Sequence, residues 1–171
     1  MRQQPGVIIT GENNAFTQFR VPTRPEPARE GRARVPVASL SSPCEAPALK
    51  QALDRDLSTR WVCGPELSAQ QLTIDLGRVQ TAGAVLHDEG PVAGNFPRRL
   101  LIETSVDGNS WAPAWSGNAW GPAISAAMRD AKANHIWFVF EPRPARYIRL
   151  LHPAQDRHYI WAIADLEVWT K

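Results

Sequence analysis

Short β-prone runs separated by turn residues follow one another from Val35 onward, and this pattern constrains the fold more than any other feature. In LTIDLG, three apolar residues alternate with polar ones, the period-two pattern of a half-buried strand. The run IWFVF is apolar on both faces, which is typical of a central strand. The strand patterns are LTIDLG (72–77), IWFVF (136–140), ARYIRLL (145–151) and IADLEVW (163–169). They predict an all-β fold.

Turn and helix signals fit the same architecture. RLLIETSVDGNSW (99–111) reads as a strand entering an Asp107-Gly108 turn, with Trp111 on the returning strand. Fifteen prolines and eleven glycines indicate many short elements joined by turns. The stretch AISAAMRDAK (123–132) is the one helix-like segment, and we expect a turn or two of helix there.

The 171 residues suit one domain with an appendage. VIITGENNAFTQFRV (7–21) reads as two β-prone runs around the turn Gly11-Glu12-Asn13-Asn14, a hairpin signal. The segment 22–36 holds four prolines and four arginines and reads as an extended, solvated connector. We therefore expect an accessory hairpin and Pro/Arg-rich connector over residues 1–34 and an antiparallel β-sandwich over residues 35–171.

Charge and hydropathy exclude several partners. The formal net charge is +2, from nineteen basic and seventeen acidic residues, so nucleic acid is not an expected partner. No stretch reaches the length of about 20 apolar residues that a membrane span requires. The first ten residues lack the apolar run of a signal peptide.

Cys44 and Cys63 are the only cysteines. Their spacing does not match a CxxC zinc or redox motif, so the sequence leaves two possibilities, a single disulfide or two buried thiols. A bridge would tie the segment before residue 52 to the strand after residue 60.

Catalytic motifs are missing from the sequence. It contains no GxSxG, HExxH, P-loop or GxGxxG pattern. Four histidines and many acids could still form a dispersed site, but the pattern favours a binding module over an enzyme.

Five blocks, in their order, resemble the discoidin domain, which shares its superfamily with the factor V/VIII C-type domains and the family 32 carbohydrate-binding modules. The blocks are ALDRDLSTRW (52–61), LTIDLG (72–77), FPRRLLIETSVDGNSW (96–111), ARYIRL (145–150) and WAIADLEVW (161–169). The resemblance covers residues 35–171 and implies an eight-stranded antiparallel jelly roll of the galactose-binding type, with ligand-binding loops at one end. Trp61, Trp111, Trp137 and Trp169 are then expected in the core, and Arg146 and Arg149 as framework residues paired with carboxylate or backbone.

The resemblance also implies a structural calcium ion in the loop 51–59. The implied oxygen ligands are Gln51, Asp54, Asp56, Thr59, Ala164 and Asp165. Two positions depart from the family pattern: Arg55 replaces a glycine, and Asp165 replaces a glutamate. The alternative is a loop held by turn hydrogen bonds of Asp54 and Thr59 alone.

The ligand expected from the resemblance is a carbohydrate, because aromatic rings stack on sugar C–H faces while polar groups fix the hydroxyls. The candidate contact residues are His87, Asp88, Asn95, Phe96, Arg98, Trp120, His152, Asp156, His158, Tyr159 and Trp161.

The blocks NFPRRLLIE and WAIADLEV also resemble discoidin domains attached to bacterial membrane glycosyltransferases. We therefore expect a monomeric, extracytoplasmic domain in a polypeptide that includes a glycosyltransferase or another catalytic domain. The alternative function is adhesion to protein or anionic lipid, with Trp115 and Trp120 as exposed apolar residues on a loop.

Overall fold

The computed structural model describes residues 8–12, 17–20, 31–44, 48–65, 70–130, 135–153 and 160–170, with no side-chain description for 8–12, 17–20 and Pro65. Most of the chain is antiparallel β-structure, as the sequence predicts. The strands are β1 (Ile8–Glu12), β2 (Thr17–Arg20), β3 (Arg34–Val35), β4 (Ser39–Ser41), β5 (Trp61–Pro65), β6 (Gln70–Asp88), β7 (Arg99–Ser105), β8 (Ala112–Asn118), β9 (His135–His152), β10 (Ile160–Ile163) and β11 (Asp165–Trp169). One α-helix, α1 (Trp120–Arg129), and one 3-10 helix (Leu49–Leu53) complete the described elements.

Two long strands, β6 and β9, organise the β-sandwich. They pair with each other from Gln70↔His152 to Asp88↔His135, with irregularities between Asp75 and Gln80 and between Ala82 and Ala84. The first part of β6 also pairs with β4, and its last part pairs with β11. The last part of β9 pairs with β7, which pairs with β8. Through these pairings, β6 and β9 join β4 and β11 to β7 and β8.

The core lies between the inward faces of these strands. Its largest fully buried side chains include Trp61, Phe138 and Trp161. Trp61 and Trp161 meet edge to face, with ring centroids 5.3 Å apart. A smaller cluster contains Trp137 packed against Trp169. Trp111 is a correction to the sequence prediction, because it is half-buried beneath the guanidinium of Arg149 rather than enclosed in the core.

The predicted framework arginines pair with carboxylates. Arg149 donates to Glu103 on the neighbouring strand β7, and Arg146 lies 3.2 Å from Asp75 on β6. Both pairs join neighbouring strands, so the two arginines link strands of the sheet.

The N-terminal region contains the predicted hairpin, in which β1 and β2 pair antiparallel. The connector differs in part from the expectation of an extended, solvated segment. Arg34 and Val35 form β3 and pair with Trp169 and Val168 of β11. The chain therefore joins the sheet within the segment 22–36.

The helix α1 is longer than predicted and begins three residues earlier, at Trp120. Pro122 falls in the first helical turn, where the missing N–H costs no hydrogen bond. Ala123 and Ala126 face the core, so the helix lies close to it, while Trp120, Ile124 and Met128 are 44%, 54% and 74% exposed. No helix in the described part of the chain has the length and apolar character to cross a membrane.

A disulfide joins Cys44 and Cys63, whose Cα atoms lie 5.5 Å apart. It links the segment after β4 to the middle of β5 and thereby closes the chain around residues 48–60. Of the two possibilities that the sequence leaves open, the structure contains the bridge.

Candidate functional site

Four elements meet at one end of the sandwich, next to the start of β7. The main-chain N–H of Ala119 donates to the carbonyl of Arg98 (3.0 Å), and that of Ala162 donates to the carbonyl of Asn95 (2.9 Å). The His152 imidazole Nδ1 is 2.6 Å from the carbonyl oxygen of Arg99. The loop 89–98, the start of α1 and the strands β9 and β10 therefore form one surface, which we call the apical face.

A stack of three side chains occupies the apical face. The guanidinium carbon of Arg98 lies 4.0 Å from the ring centroid of Phe96 and 4.6 Å from that of Trp120. The two rings meet edge to face at 5.3 Å. Phe96 and Arg98 are buried, whereas Trp120 is 44% exposed. The contacts with Phe96 and Arg98 hold the Trp120 side chain in place and leave part of its indole open to solvent.

Hydrogen bonds to its own loop hold Arg98 in this position. Its guanidinium donates to the carbonyl of Gly94 (2.6 Å) and to that of Phe96 (3.2 Å). These bonds to backbone carbonyls help to satisfy the buried guanidinium. Arg98 therefore supports the Trp120 ring, which we call the platform. The guanidinium N–H groups that make these two bonds point into the protein.

Glu89 lies at the start of the same loop, and its side chain is hydrogen-bonded to the main chain of that loop. Its Oε1 accepts the main-chain N–H of Asn95 at 2.5 Å, and the residue is 4% exposed. Burial raises the pKa of the Glu89 carboxyl to about 7, against the lowering effects of the loop N–H groups and of Arg98. Sequence reasoning missed this residue, although it lies within the segment that was predicted to bind ligand.

Several predicted contact residues prove to be framework. His87 lies within β6 opposite Leu166 and is fully buried, because β6 continues to Asp88 where a loop was expected. Burial lowers the pKa of His87 to about 4, so the ring is neutral at pH 7. Asp88 pairs with His135 at 2.9 Å. His152 and Trp161 are also buried, with their rings 6.2 Å apart.

Of the predicted ligand contacts, the structure therefore leaves Asn95 half-buried and Trp120 exposed at the apical face. Asp156, His158 and Tyr159 lie outside the described residues. Arg98, directly before β7, is buried, whereas Arg99, the first residue of β7, is exposed.

A groove of about 440 Å³ begins beside the apical face and follows the pair β7–β8. The residues that line it are Arg99, Leu100, Leu101, Ser116, Gly117, Asn118 and Pro153. At Asn118 the groove reaches the start of α1, since the Oδ1 of Asn118 accepts the main-chain N–H of Trp120 (2.8 Å). This surface depends on the register of β7 against β8, which the sequence does not reveal.

The loop after the 3-10 helix brings together the oxygen atoms that were predicted to bind calcium. The Thr59 hydroxyl lies 2.8 Å from Asp54 Oδ2 and 3.0 Å from the Asp56 carbonyl. Asp54 Oδ1 also accepts the main-chain N–H of Asp56 (2.8 Å). Arg55 adopts φ +62°, the left-handed conformation of the glycine that it replaces. The side chain therefore does not prevent the family's loop geometry here.

The other predicted metal ligands are close to this loop. A Cβ atom on Gly90 would lie 2.7 Å from the carbonyl oxygen of Leu57 and 2.9 Å from Ala164 Cβ, so the loop, β6 and β11 approach closely here. Asp165 is 7% exposed, and its Oδ1 has no hydrogen-bond partner among the described residues. Its Oδ2 is 3.8 Å from Arg34. Burial, with a smaller contribution from Glu167, raises the pKa of Asp165 to about 6.

This donor set fits a hard cation in part. The converging atoms are all oxygens, and Asp165 offers a buried acceptor that is free of hydrogen bonds within the described chain. No group of three or more His, Cys, Asp or Glu side chains in the described ranges is arranged for a metal. Backbone carbonyls and the Thr59 hydroxyl would therefore have to supply several of the ligands.

Comparison with known proteins identifies the fold. The sequence profile of the F5/8 type C domain matches residues 38–166. The structure resembles the CBM32 of AlyQ in complex with 4,5-unsaturated mannuronic acid, with TM-score 0.60 and 21% identity over 80% of this chain and 97% of that chain. It resembles the family 32 CBM of C. perfringens NanJ in complex with galactose, with TM-score 0.62 and 18% identity over 81% and 98%.

A third similar structure is chitosan-binding module 1 of a chitosanase/glucanase from Paenibacillus sp. IK-5, with TM-score 0.57 and 18% identity over 76% of this chain and 92% of that chain. No curated protein sequence matches this chain. At these identities the structural likeness shows the fold, whereas the sequence profile spans about three quarters of the chain. This chain therefore belongs to the F5/8 type C (discoidin) family, whose members are binding domains rather than enzymes.

Proposed function

We propose that this domain is a carbohydrate-binding module and that the exposed indole of Trp120 is its stacking platform. The observation that carries the proposal is the stack of Phe96, Arg98 and Trp120, which holds an exposed aromatic ring rigidly at the apical face. A rigid ring loses little conformational entropy on binding, and its face suits the C–H groups of a sugar. Two of the similar modules were solved in complex with 4,5-unsaturated mannuronic acid and with galactose, and a third is a chitosan-binding module.

The small number of accessible predicted contacts favours weak binding. Among the described ones, Trp120 is exposed and Asn95 is half-buried. A site of this kind supplies about −4 to −6 kcal/mol, which corresponds to dissociation constants from about millimolar to high micromolar. The ligand contacts predicted at Asp156, His158 and Tyr159 stay proposals.

A glycan array followed by calorimetric titration tests this function. Trp120→Ala should weaken binding at least tenfold while circular dichroism stays unchanged, because the ring is exposed. Ile124→Ala, one helical turn away and equally exposed, is the matched control and should bind normally. If no glycan binds, or if the two variants bind alike, Trp120 is not a carbohydrate platform.

We also propose that the domain binds a structural calcium ion through Asp54, Asp56 and Thr59, with Gln51, Ala164 and Asp165 completing the site. The support is the convergence of oxygen atoms and the acceptor Oδ1 of Asp165 that lacks a hydrogen bond among the described residues. Such an ion would brace the loop 54–59 against β11 and take no part in ligand chemistry.

The proposed context is an extracytoplasmic, monomeric domain within a larger glycan-acting protein, such as a membrane glycosyltransferase. The disulfide supports an oxidising compartment. AlyQ provides a parallel, since its CBM32 has been solved together with an alginate lyase domain. Alkylation of free thiols in protein from its native cell, before lysis, tests the compartment; two alkylated cysteines would contradict it.

A second candidate function, adhesion to a lipid surface, is favoured by the apolar side chains on α1. Trp120, Ile124 and Met128 are all exposed and lie on one side of the helix, as residues spaced by four do. Trp115 does not belong to this surface, because it packs against Phe138. Sedimentation with anionic liposomes tests the candidate. An Ile124→Ser/Met128→Ser variant should lose liposome binding but keep glycan binding.

A further inference from the structure

The groove along β7 and β8 has two rows of residues on the outer face of the sheet. Arg99 of β7 lies opposite Asn118 of β8, and Leu101 lies opposite Ser116. Residues directly opposite on antiparallel strands have Cβ atoms about 5 Å apart, so each row forms one continuous strip. Pro153, directly after β9, also lines the groove.

Most of the polar side-chain groups of the groove have no hydrogen bond within the described chain. Arg99 is exposed, and no hydrogen bond or ion pair joins its guanidinium to the described residues. Asn118 commits its Oδ1 to the N–H of Trp120, which leaves its NH2 group as a donor. Ser116 adds an exposed hydroxyl.

The charge of the groove has one sign. Among its lining residues Arg99 is the one that carries a charge, and none is acidic. The nearest acid along β7, Glu103, is paired with Arg149 and does not neutralise it. A guanidinium binds a carboxylate through two parallel hydrogen bonds, the strongest polar contact available to such a surface.

The size and position of the groove suit a chain of sugars. A volume of about 440 Å³ lies near the lower end of small-molecule sites and suits about two sugar rings. Asn118 lines the groove and accepts the main-chain N–H of Trp120, so this end of the groove reaches the start of α1, which carries Trp120. A saccharide stacked on Trp120 would extend along β7–β8 past Arg99.

We propose that the β7–β8 groove binds further units of an oligosaccharide whose first unit stacks on Trp120, and that these units carry carboxylates recognised by Arg99. This inference rests on the proposed carbohydrate function. It specifies the ligand class as oligosaccharides of uronic acids, and it assigns Arg99 as the residue that determines this specificity.

Calorimetric titration with uronic acid mono- and trisaccharides tests the proposal. The probes are galacturonate, glucuronate, mannuronate and guluronate oligomers, each compared with its methyl ester, which keeps shape and linkage but removes the charge. The wild type should bind at least one uronate trisaccharide about tenfold more tightly than its ester and than its monosaccharide. This preference should shrink as salt concentration rises.

Arg99→Gln should lower the affinity for that trisaccharide to the level of its ester and leave ester binding unchanged. Arg78→Gln, an exposed arginine that does not line the groove, is the matched control and should retain the preference. Trp120→Ala should weaken acid and ester alike.

The outcomes separate the two proposals. If glycans bind through Trp120 but every uronate binds no better than its ester, or if Arg99→Gln keeps the preference, the groove assignment is wrong and the carbohydrate function stands. If no glycan binds, the carbohydrate function fails and the groove assignment fails with it.

Discussion

The carbonyl oxygen of Leu57 lies directly over Gly90, so that a Cβ atom on Gly90 would be only 2.7 Å from it. This contact brings the predicted calcium loop against the loop 89–98 of the apical face, directly beside Glu89. The proposed metal and carbohydrate sites therefore share a junction at which only glycine fits.

Gly90→Ala should destabilise the domain by about 2–4 kcal/mol. The added methyl group meets backbone on one side and Ala164 on the other, and φ is +64°. Gly94→Ala is the control: its φ is +97°, but nothing lies within 4 Å of the new Cβ, so it should cost only about 1 kcal/mol. Urea denaturation measures both. Equal losses in the two variants would show that steric contact at Gly90 is unimportant.

Glu89 should make stability depend on pH. Its pKa is about 7 in the folded state and ordinary, near 4.5, in the unfolded chain, so between these values the folded state holds the extra proton. Stability should therefore fall as the pH rises from about 5 to 7.5, by about 1–2 kcal/mol after allowance for solvent screening. Arg98 opposes this effect and Asp88 adds to it.

Glu89→Gln isolates that contribution, because glutamine is neutral at every pH and its Oε1 still accepts the N–H of Asn95. The difference in unfolding free energy between wild type and variant should grow in favour of the variant as the pH rises. A difference that does not change with pH would show that Glu89 does not titrate in this range.

Calcium, if bound, should raise the melting temperature, because a ligand specific to the folded state adds to its stability. Millimolar EDTA should lower the melting temperature of the wild type and have no effect on Asp54→Asn. An unchanged wild-type melting curve after exhaustive metal removal would mean that turn hydrogen bonds alone hold this loop.

The Cys44–Cys63 bridge should contribute on the order of 3 kcal/mol, since it closes a loop with a sequence separation of 19 residues. A Cys44→Ser/Cys63→Ser variant should unfold at lower urea concentration by that amount. Denatured, unreduced wild-type protein should show no reactive thiol with Ellman's reagent, and two thiols per chain would rule out the bridge.

The sequence predicts the strands well where alternation is strong, as in 72–77 and 145–151, and it places the turn at Asp107-Gly108, where Gly108 has φ +78°. It fails at the end of β6. The run AGAVLHD has no period-two pattern because both faces are covered, so the strand was ended too early and His87 was assigned to a loop. The framework role of His87 follows only from its position opposite Leu166.

The location of the ligand site stays a proposal, whereas the burial of its individual side chains can be compared with the expectation. The order of the blocks was enough to bring 89–98 and the start of α1 to one end of the fold. Which side chain faces outward depends on register, and the sequence alone gives no way to decide that Arg98 lies beneath Trp120 while Arg99 faces solvent. Glu89 and the β7–β8 groove depend in the same way on tertiary contacts.

The continuity of β6 and β9 affects how force and heat act on the molecule. The two strands pair with each other on both sides of the irregularity between Asp75 and Gln80, so they cannot separate without breaking a long series of hydrogen bonds. The domain should open as one cooperative unit, and amide protons near Ile74 and Ile148 should exchange only on global unfolding. A tether that pulls on β11 would therefore load the same pair of strands that supports the apical face.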